Sequence, residues 1–277
     1  MAHDTSTDTP QDAEATAEPL AVVTGASSGI GLELAKQFAM HGFDVAIVAE
    51  DEGINAAART LMGFGTTVTP IQVDLAKADG VDLFYRRLRA LGRLADAIAI
   101  NAGVGVGGPF IETSLDEELN LIALNVTSTV RLAKRIIPDM VQRGYGRVLF
   151  TSSIAAETPG PFEAVYAASK AFILSFAEAL RNELRDTGVS VTALQPGATD
   201  TNFFHRAHME DTKVATSEKD SPADVARDGF AALMAGKDHV VAGSWKNVLQ
   251  STIAQITPET MKAEQHRKMA EPGSANP

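Results

Sequence analysis

Cysteine is absent from this chain of 277 residues. That excludes disulfides, thiolate catalysis and cysteine metal sites, and it suits a reducing cytoplasm. No apolar run approaches the roughly 18 residues that a membrane span requires. The N-terminus has no basic segment followed by an apolar stretch, so no secretory signal is expected. Basic residues are outnumbered: 24 Lys and Arg stand against 35 Asp and Glu, a formal net charge of −11. Nucleic-acid binding needs a basic patch to displace counterions, and none stands out. His205 and His208 have metal-like spacing, but no carboxylate pattern adjoins them, so no metal is expected. These absences lean toward the cytoplasm and against a nucleic-acid or membrane partner.

What is present is a core. Apolar residues make up 45% of the chain, enough for one sizeable globular domain. Residues 1–18 are rich in Asp, Glu, Thr, Ala and Pro without apolar periodicity and read as a disordered tail. Residues 19–257 form the expected domain. Residues 258–277 form a polar extension in which 259–269 has helical spacing. Within the domain, short apolar runs at 20–23, 45–49, 68–73, 95–100, 147–150, 189–194 and 239–241 predict strands. Helical spacing fills 29–40, 55–62, 79–91, 115–143, 162–184 and 222–233. Such alternation implies βαβ units, and runs apolar on both faces imply a parallel sheet covered on both sides. The expected fold is α/β, a Rossmann-like doubly wound parallel sheet of about seven strands in a single domain.

The first strand runs into Thr24, Gly25, Ala26, Ser27, Ser28, Gly29, Ile30 and Gly31. Gly25 can leave the strand in a tight turn, Gly29 lets backbone approach a pyrophosphate, and Gly31 lets the next helix sit close to the sheet. The helix start offers free N–H groups and a partial positive charge to phosphates. Dinucleotide binding is the reading; a plain strand-to-helix turn is the bland alternative.

Further on, Tyr166 and Lys170 are four residues apart, so on a helix they share a face. A cation beside a phenol favours phenolate. Moving a tyrosine 2–3 units from about 10 takes roughly 3–4 kcal/mol, which this reading asks of Lys170 and a nearby nicotinamide cation. A tuned tyrosine then exchanges a proton with a carbonyl or alcohol oxygen. Thirteen residues before Tyr166, just past the fifth strand, Ser153 could hydrogen-bond that oxygen. Ser152 competes with it, since strand alternation points only one of the two at the site.

The T-G-x-x-x-G-x-G turn together with Y-x-x-x-K resembles the short-chain dehydrogenase/reductase superfamily, over about residues 19–241. The resemblance implies an oxidoreductase that moves a hydride between a nicotinamide cofactor and a small-molecule partner, a carbonyl or secondary alcohol. It favours Ser153 over Ser152. It implies catalytic roles for Asn125, Ser153, Tyr166 and Lys170, with Asn125 holding a water in a proton relay; otherwise Asn125 is a buried, satisfied amide. Asn101, Ala102 and Gly103 match the family's N-A-G motif beside the cofactor, with Ile100 where an Asn usually precedes it. Ser128 stands where a glycine usually follows the Asn125 motif. Asp74 matches an adenine contact, or is a helix cap. Pro196 and Gly197 match the turn beyond the sixth strand, with Thr201 at the contact to the nicotinamide amide. Tyr166 and Lys170 belong to the cofactor set as well.

Glu50, Asp51 and Glu52 close the second strand. Carboxylates there bind ribose hydroxyls and repel a 2′-phosphate, so NAD is favoured over NADP; they would also suit a solvated helix start. The family's usual NAD-marking Asp falls at Ala49, one place before Glu50. Phe203 and Phe204 line the substrate pocket or close the core. The two long helices match the family's dimer interface, so a homodimer or homotetramer is expected. A non-catalytic dinucleotide sensor of the same fold is the alternative reading. An epimerase is disfavoured, because its larger substrate lobe is missing.

Overall fold

The structure, a computed structural model, describes residues 18–244, 247 and 257–275. The expected N-terminal tail falls almost entirely outside these residues.

The strands are β1 (Leu20–Thr24), β2 (Asp44–Ala49), β3 (Val68–Gln72), β4 (Ala97–Ile100), β5 (Gly146–Thr151), β6 (Val189–Pro196) and β7 (His239–Ala242). They form one seven-stranded sheet in the order β3-β2-β1-β4-β5-β6-β7, and every pair is parallel. Alternation along the strands divides the core in two. In β1, Ala21 and Val23 join one cluster, while Leu20 and Val22 join the other. The first cluster is filled from α1 (Gly29–Met40), α2 (Gly53–Met62) and α9 (Pro222–Met234). The second is filled from α3 (Gly80–Arg89), α5 (Thr129–Arg143) and α6 (Ala164–Glu183). Both faces of the sheet are therefore apolar, as a parallel sheet covered by crossovers requires.

The predicted helix at 115–143 is interrupted. It consists of α4 (Leu115–Ile122), a π-helical turn (Ala123–Ser128) and α5. The hydroxyls of Ser128 and Thr129 donate to the carbonyls of Leu124 and Asn125, at 2.5 and 2.8 Å. Such back-bonding disturbs a regular helical ladder, and π turns of this kind cluster at functional sites. The predicted helix at 162–184 begins two residues late, because Phe162 has φ 67°. The short helices α7 (Phe203–Arg206) and α8 (Lys213–Thr216) follow β6.

The polar extension is not a loose end. Its helix α10 (Glu259–Ala270) lies against its own chain. Ala270 is buried with Phe204, Ala207 and Met209, and Lys262 reaches the Glu157 carbonyl at 3.2 Å.

The strand order reverses at β1, between β2 and β4, which opens a crevice at the carboxyl ends of the strands. A buried hydroxyl holds that crevice in shape. Thr24 Oγ1 accepts from the backbone N–H groups of both Asn101 and Ala102, each at 2.9 Å. Valine at this position keeps the volume and strands two amides, each costing about 1–3 kcal/mol when buried unpaired. Thr24→Val is therefore expected to lower unfolding free energy by about 2 kcal/mol or more in urea titration, and to weaken dinucleotide binding with it.

Candidate active site

The crevice widens into a cleft of about 1340 Å³ at the carboxyl edge of the sheet. Gly25, Ser27, Ser28, Gly29, Ile30 and Gly31 form one end of its wall. The start of α1 has no side-chain cap and no acidic residue in its first turn, which leaves its amides and dipole to an anionic ligand. Glycine is required here. A Cβ on Gly31 would lie 2.1 Å from the Gly25 carbonyl oxygen, and one on Gly29 would lie 3.1 Å from Thr201 Cγ2. Gly25 also has φ 68°.

Asn101, Ala102 and Gly103 line the floor. Asn101 Nδ2 donates to the Thr24 carbonyl at 3.1 Å, and its Oδ1 accepts from Thr151 Oγ1 at 3.1 Å. One side chain thus ties β1, β4 and β5 together. Glu50 and Asp74 line the wall beyond the glycine turn. Asp74 Oδ1 accepts from the Ala76 N–H at 2.9 Å, and α3 starts only at Gly80, so Asp74 is not its cap. Asp51 is held more firmly than Glu50: Oδ2 accepts from Ser27 Oγ at 2.7 Å and Oδ1 from the Gly53 N–H at 2.9 Å. The sequence placed Asp51 among three adjacent acids; only the fold joins it to the glycine turn.

At the other end of the cleft, Ser153, Tyr166, Lys170, Pro196, Gly197 and Thr201 converge. Tyr166 and Lys170 lie on α6 and are buried, with Lys170 Nζ 5.7 Å from the Tyr166 ring centre. Lys170 Nζ donates to the Thr151 carbonyl at 2.9 Å. Ser153 Oγ accepts from the Ala155 N–H at 3.1 Å and donates to the Pro196 carbonyl at 3.5 Å, and it lies near enough to the Tyr166 phenol to favour its ionised form. Ser152 turns away and donates to the Lys170 carbonyl at 2.8 Å. Both serines thus have fixed and different work.

Two of the expected site residues have settings of their own. Asn125 is buried behind the wall rather than lining the cleft. Its Oδ1 accepts from the Val104 N–H at 2.9 Å, and its Nδ2 donates to the Val104 carbonyl at 2.9 Å and Ser169 Oγ at 3.0 Å. Both ends of the amide hold protein, so Asn125 braces the Gly103–Val104 wall. In the protein alone, burial dominates the electrostatics of Tyr166. Burial pushes its phenol above the ordinary tyrosine value, the Glu163 charge pushes the same way, and Ser153 opposes both.

Phe203 and Phe204 both line the cleft; the Phe203 ring centre is 5.1 Å from that of Tyr166, and Phe204 also packs with Ala207 and Met209. Sequence reasoning missed Glu163, His266 and Lys262, which also line the cleft. No local motif marks Lys262 and His266, because α10 reaches the site only through the tertiary fold; Glu163, three residues before Tyr166, had that helical spacing as its one signal. Among the described residues, no group of three or more His, Asp or Glu could hold a metal, and His205 pairs with Glu210 instead.

Burial lowers the Lys170 ammonium from the ordinary 10.5 to about 8. Below about pH 8 the folded chain carries that desolvated charge, while the unfolded chain stays protonated up to 10.5. Between these values the unfolded state binds more protons, so stability contributed by this group rises with pH. The full effect is on the order of 3 kcal/mol. In urea titrations, Lys170→Met should flatten the rise in stability between pH 7.5 and 9.5, and at pH 7 should be as stable as the parent or more so. A rise of unchanged steepness in Lys170→Met would exclude Lys170 as its source.

The sequence profile of the short chain dehydrogenases matches residues 19–211. A probable oxidoreductase, EphD, of Mycobacterium tuberculosis (strain ATCC 25618 / H37Rv) is 32% identical over 204 residues, which is 71% of this chain and 34% of that protein. The chain thus spans about a third of the length of that curated relative. A solved short-chain dehydrogenase from Sphingobium yanoikuyae, in complex with NADPH, superposes with a TM-score of 0.75 at 31% identity, over 80% of this chain and 87% of that one. The bulky-bulky ketone specific alcohol dehydrogenase from Comamonas testosteroni superposes with a TM-score of 0.73 at 26% identity, over 91% of this chain and 99% of that one. With its glycine turn, six of its seven parallel strands and its Tyr–Lys helix within the matched span, this chain belongs to the short-chain dehydrogenase family.

Proposed function

We propose that the chain is a nicotinamide-dependent oxidoreductase that moves a hydride between its cofactor and a carbonyl or secondary alcohol. The observation that carries this is the convergence of Ser153, Tyr166 and Lys170 in the same cleft as the glycine turn. The residues fit a dinucleotide. The uncapped start of α1 suits the pyrophosphate, Glu50 and Asp51 suit ribose hydroxyls, Asp74 the adenine, and Thr201 the nicotinamide amide. When bound, the cofactor supplies the hydride donor or acceptor.

The chain's own residues supply the rest. Tyr166 gives its proton to the carbonyl oxygen in reduction and takes it from the alcohol in oxidation. Ser153 holds the reacting oxygen as charge develops on it. Lys170, anchored on the Thr151 carbonyl, places a cation beside the phenol and the cofactor. Asn125 keeps Gly103 and Val104 in position beneath them. A side chain at Gly103 would crowd both partners, at 3.2 Å from Asn125 Oδ1 and 3.3 Å from Lys170 Nζ. Phe203 presents an apolar surface to the substrate beside Tyr166.

The cofactor is read as NAD. Asp51 is fixed by two hydrogen bonds against the glycine turn, where a 2′-phosphate would meet an oriented negative charge. The partner is a small carbonyl or alcohol compound, and a homodimer or homotetramer fits the exposed Leu115, Leu119 and Ile122 on α4 beside Phe172 on α6. Among the described residues no helix is long and apolar enough to cross a membrane. Cytoplasm is the proposed location, on the absence of cysteine.

A panel of ketones and alcohols, followed at the reduced-nicotinamide absorbance, tests the activity. Tyr166→Phe keeps the packing and removes the proton donor. It is expected to lower kcat/KM by about 10²–10⁴ with dinucleotide affinity unchanged; full turnover in that variant overturns the mechanism. NAD should be preferred over NADP by tenfold or more, a difference of about 1.4 kcal/mol. Asp51→Ser should narrow that ratio, and a parent preference for NADP would sink the cofactor assignment.

A further inference from the structure

Helix α10 contributes two things to the turn that begins the catalytic helix. His266 Nε2 lies 3.1 Å from Glu163 Oε2, with the two side chains only 16% and 8% exposed. The Arg267 guanidinium stands 5.3 Å from the centre of the Phe162 ring. Phe162 has φ 67°, a left-handed conformation that bulky residues avoid. Its carbonyl is held by the Gly108 N–H at 2.8 Å. The packing here is close: a Cβ on Gly160 would lie 2.6 Å from Ala167 Cβ and 3.5 Å from His266 Nε2. The constrained turn delivers Glu163 to the position just before α6.

The shorter carboxylate of an Asp at that position often caps the helix by accepting its free amides. Glu163 does not: it makes no side-chain cap. It faces the cleft instead, takes its hydrogen bond from α10, and sits three residues before Tyr166 on the same helix face. The proposed chemistry has no use for a carboxylate there. A negative charge near a phenol opposes phenolate, and the Glu163 charge does raise Tyr166. A donor from His266 offsets that charge.

We propose that Glu163 and His266 form a positioning pair, through which the C-terminal helix sets the charge felt by the Tyr166 hydroxyl. Neither side chain needs to touch the reacting atoms; both act through Tyr166. Covering of the cleft by α10 and readiness of the phenol for proton exchange are thereby linked. Other charged groups around the pair are already engaged. On α6, Lys170 is bonded to the Thr151 carbonyl. On the 3₁₀ turn (Ile154–Glu157), Glu157 accepts from Gln195 at 2.8 Å. On α10, Lys262 bonds the Glu157 carbonyl and Glu259, and Arg267 pairs with Glu271. Near α7, Lys219 lies over the Phe204 ring. Glu163 and His266 are left facing each other.

The inference rests on the reading of Tyr166 as the proton-exchanging group, so its test reads that phenol directly rather than through turnover. The chain has three tyrosines, Tyr85, Tyr145 and Tyr166. Replacing them all with 3,5-difluorotyrosine makes the phenols more acidic, so that titration falls where the fold survives. Fluorine NMR then follows each one, assigned with single Phe variants. Glu163→Gln keeps the shape and a hydrogen-bond acceptor but removes the charge; the Tyr166 midpoint should fall by about half a pH unit or more. His266→Phe uncovers the carboxylate, and the midpoint should rise. The double variant should follow Glu163→Gln, because His266 acts only on the charge of Glu163. A purely structural role would alter melting temperature with no opposed shifts. Unchanged midpoints, or shifts of the same sign in both single variants, overturn the proposal. If His266→Phe does not fold, an unmoved midpoint in Glu163→Gln is sufficient to reject it. Opposed shifts in a protein that turns over no ketone or alcohol would leave the pair standing and the oxidoreductase reading fallen. Turnover dependent on Tyr166 with unmoved midpoints would do the reverse.

Discussion

A single hydroxyl at the end of β1 connects the two halves of this site. Thr24 is fully buried, and its Oγ1 accepts from two consecutive amides beyond β4. Those amides have left the sheet and have no strand partner there, so the hydroxyl replaces the ladder where the strands diverge. Asn101 extends the tie to β5 through Thr151, and Thr151 in turn holds Lys170 through its carbonyl. The chain of contacts runs from the glycine turn to the ammonium without a gap. Phosphate end and reacting end are thereby held at a fixed separation, which is the geometric requirement of a cofactor that spans both.

The reacting end is an arrangement of opposing pressures. Burial raises Tyr166 and lowers Lys170, so each group alone is driven toward its neutral form. Ser153 supports the ionised phenol, and Glu163 opposes it. Burial is the largest of these influences and leaves the phenol holding its proton at neutral pH; proton exchange there calls for further positive charge beside the hydroxyl. The desolvation of Lys170 disfavours the fold at neutral pH, which marks it as a residue kept for a task rather than for stability.

Helix α10 changes how the cleft is understood. A polar segment with ordinary surface composition becomes a wall, because Ala270 packs beside Phe204 and Met209 and Lys262 and His266 reach inward. The side of the cleft away from the glycine turn therefore combines the Tyr–Lys helix α6, aromatic side chains after β6, and a lysine and a histidine from α10.

Much of this was legible in the residues alone. Apolar runs of three to six residues alternating with helical spacing identify a covered parallel sheet, because each strand must bury both its faces. Glycines at 25, 29 and 31 identify the phosphate turn, because no side chain fits there; Tyr166 and Lys170 identify a shared face, because a helix repeats every 3.6 residues. Those are local rules, and local rules act wherever the chain goes. The tertiary structure decided the rest. It assigned Ser153 to the phenol and Ser152 to a backbone carbonyl, fixed Asp51 on Ser27, turned Asn125 into a brace within a π turn, and brought Glu163 and His266 together from 103 residues apart. None of these has a sequence signature, since each depends on where two distant segments meet. That meeting is set by the packing of the whole core and by no short stretch of it.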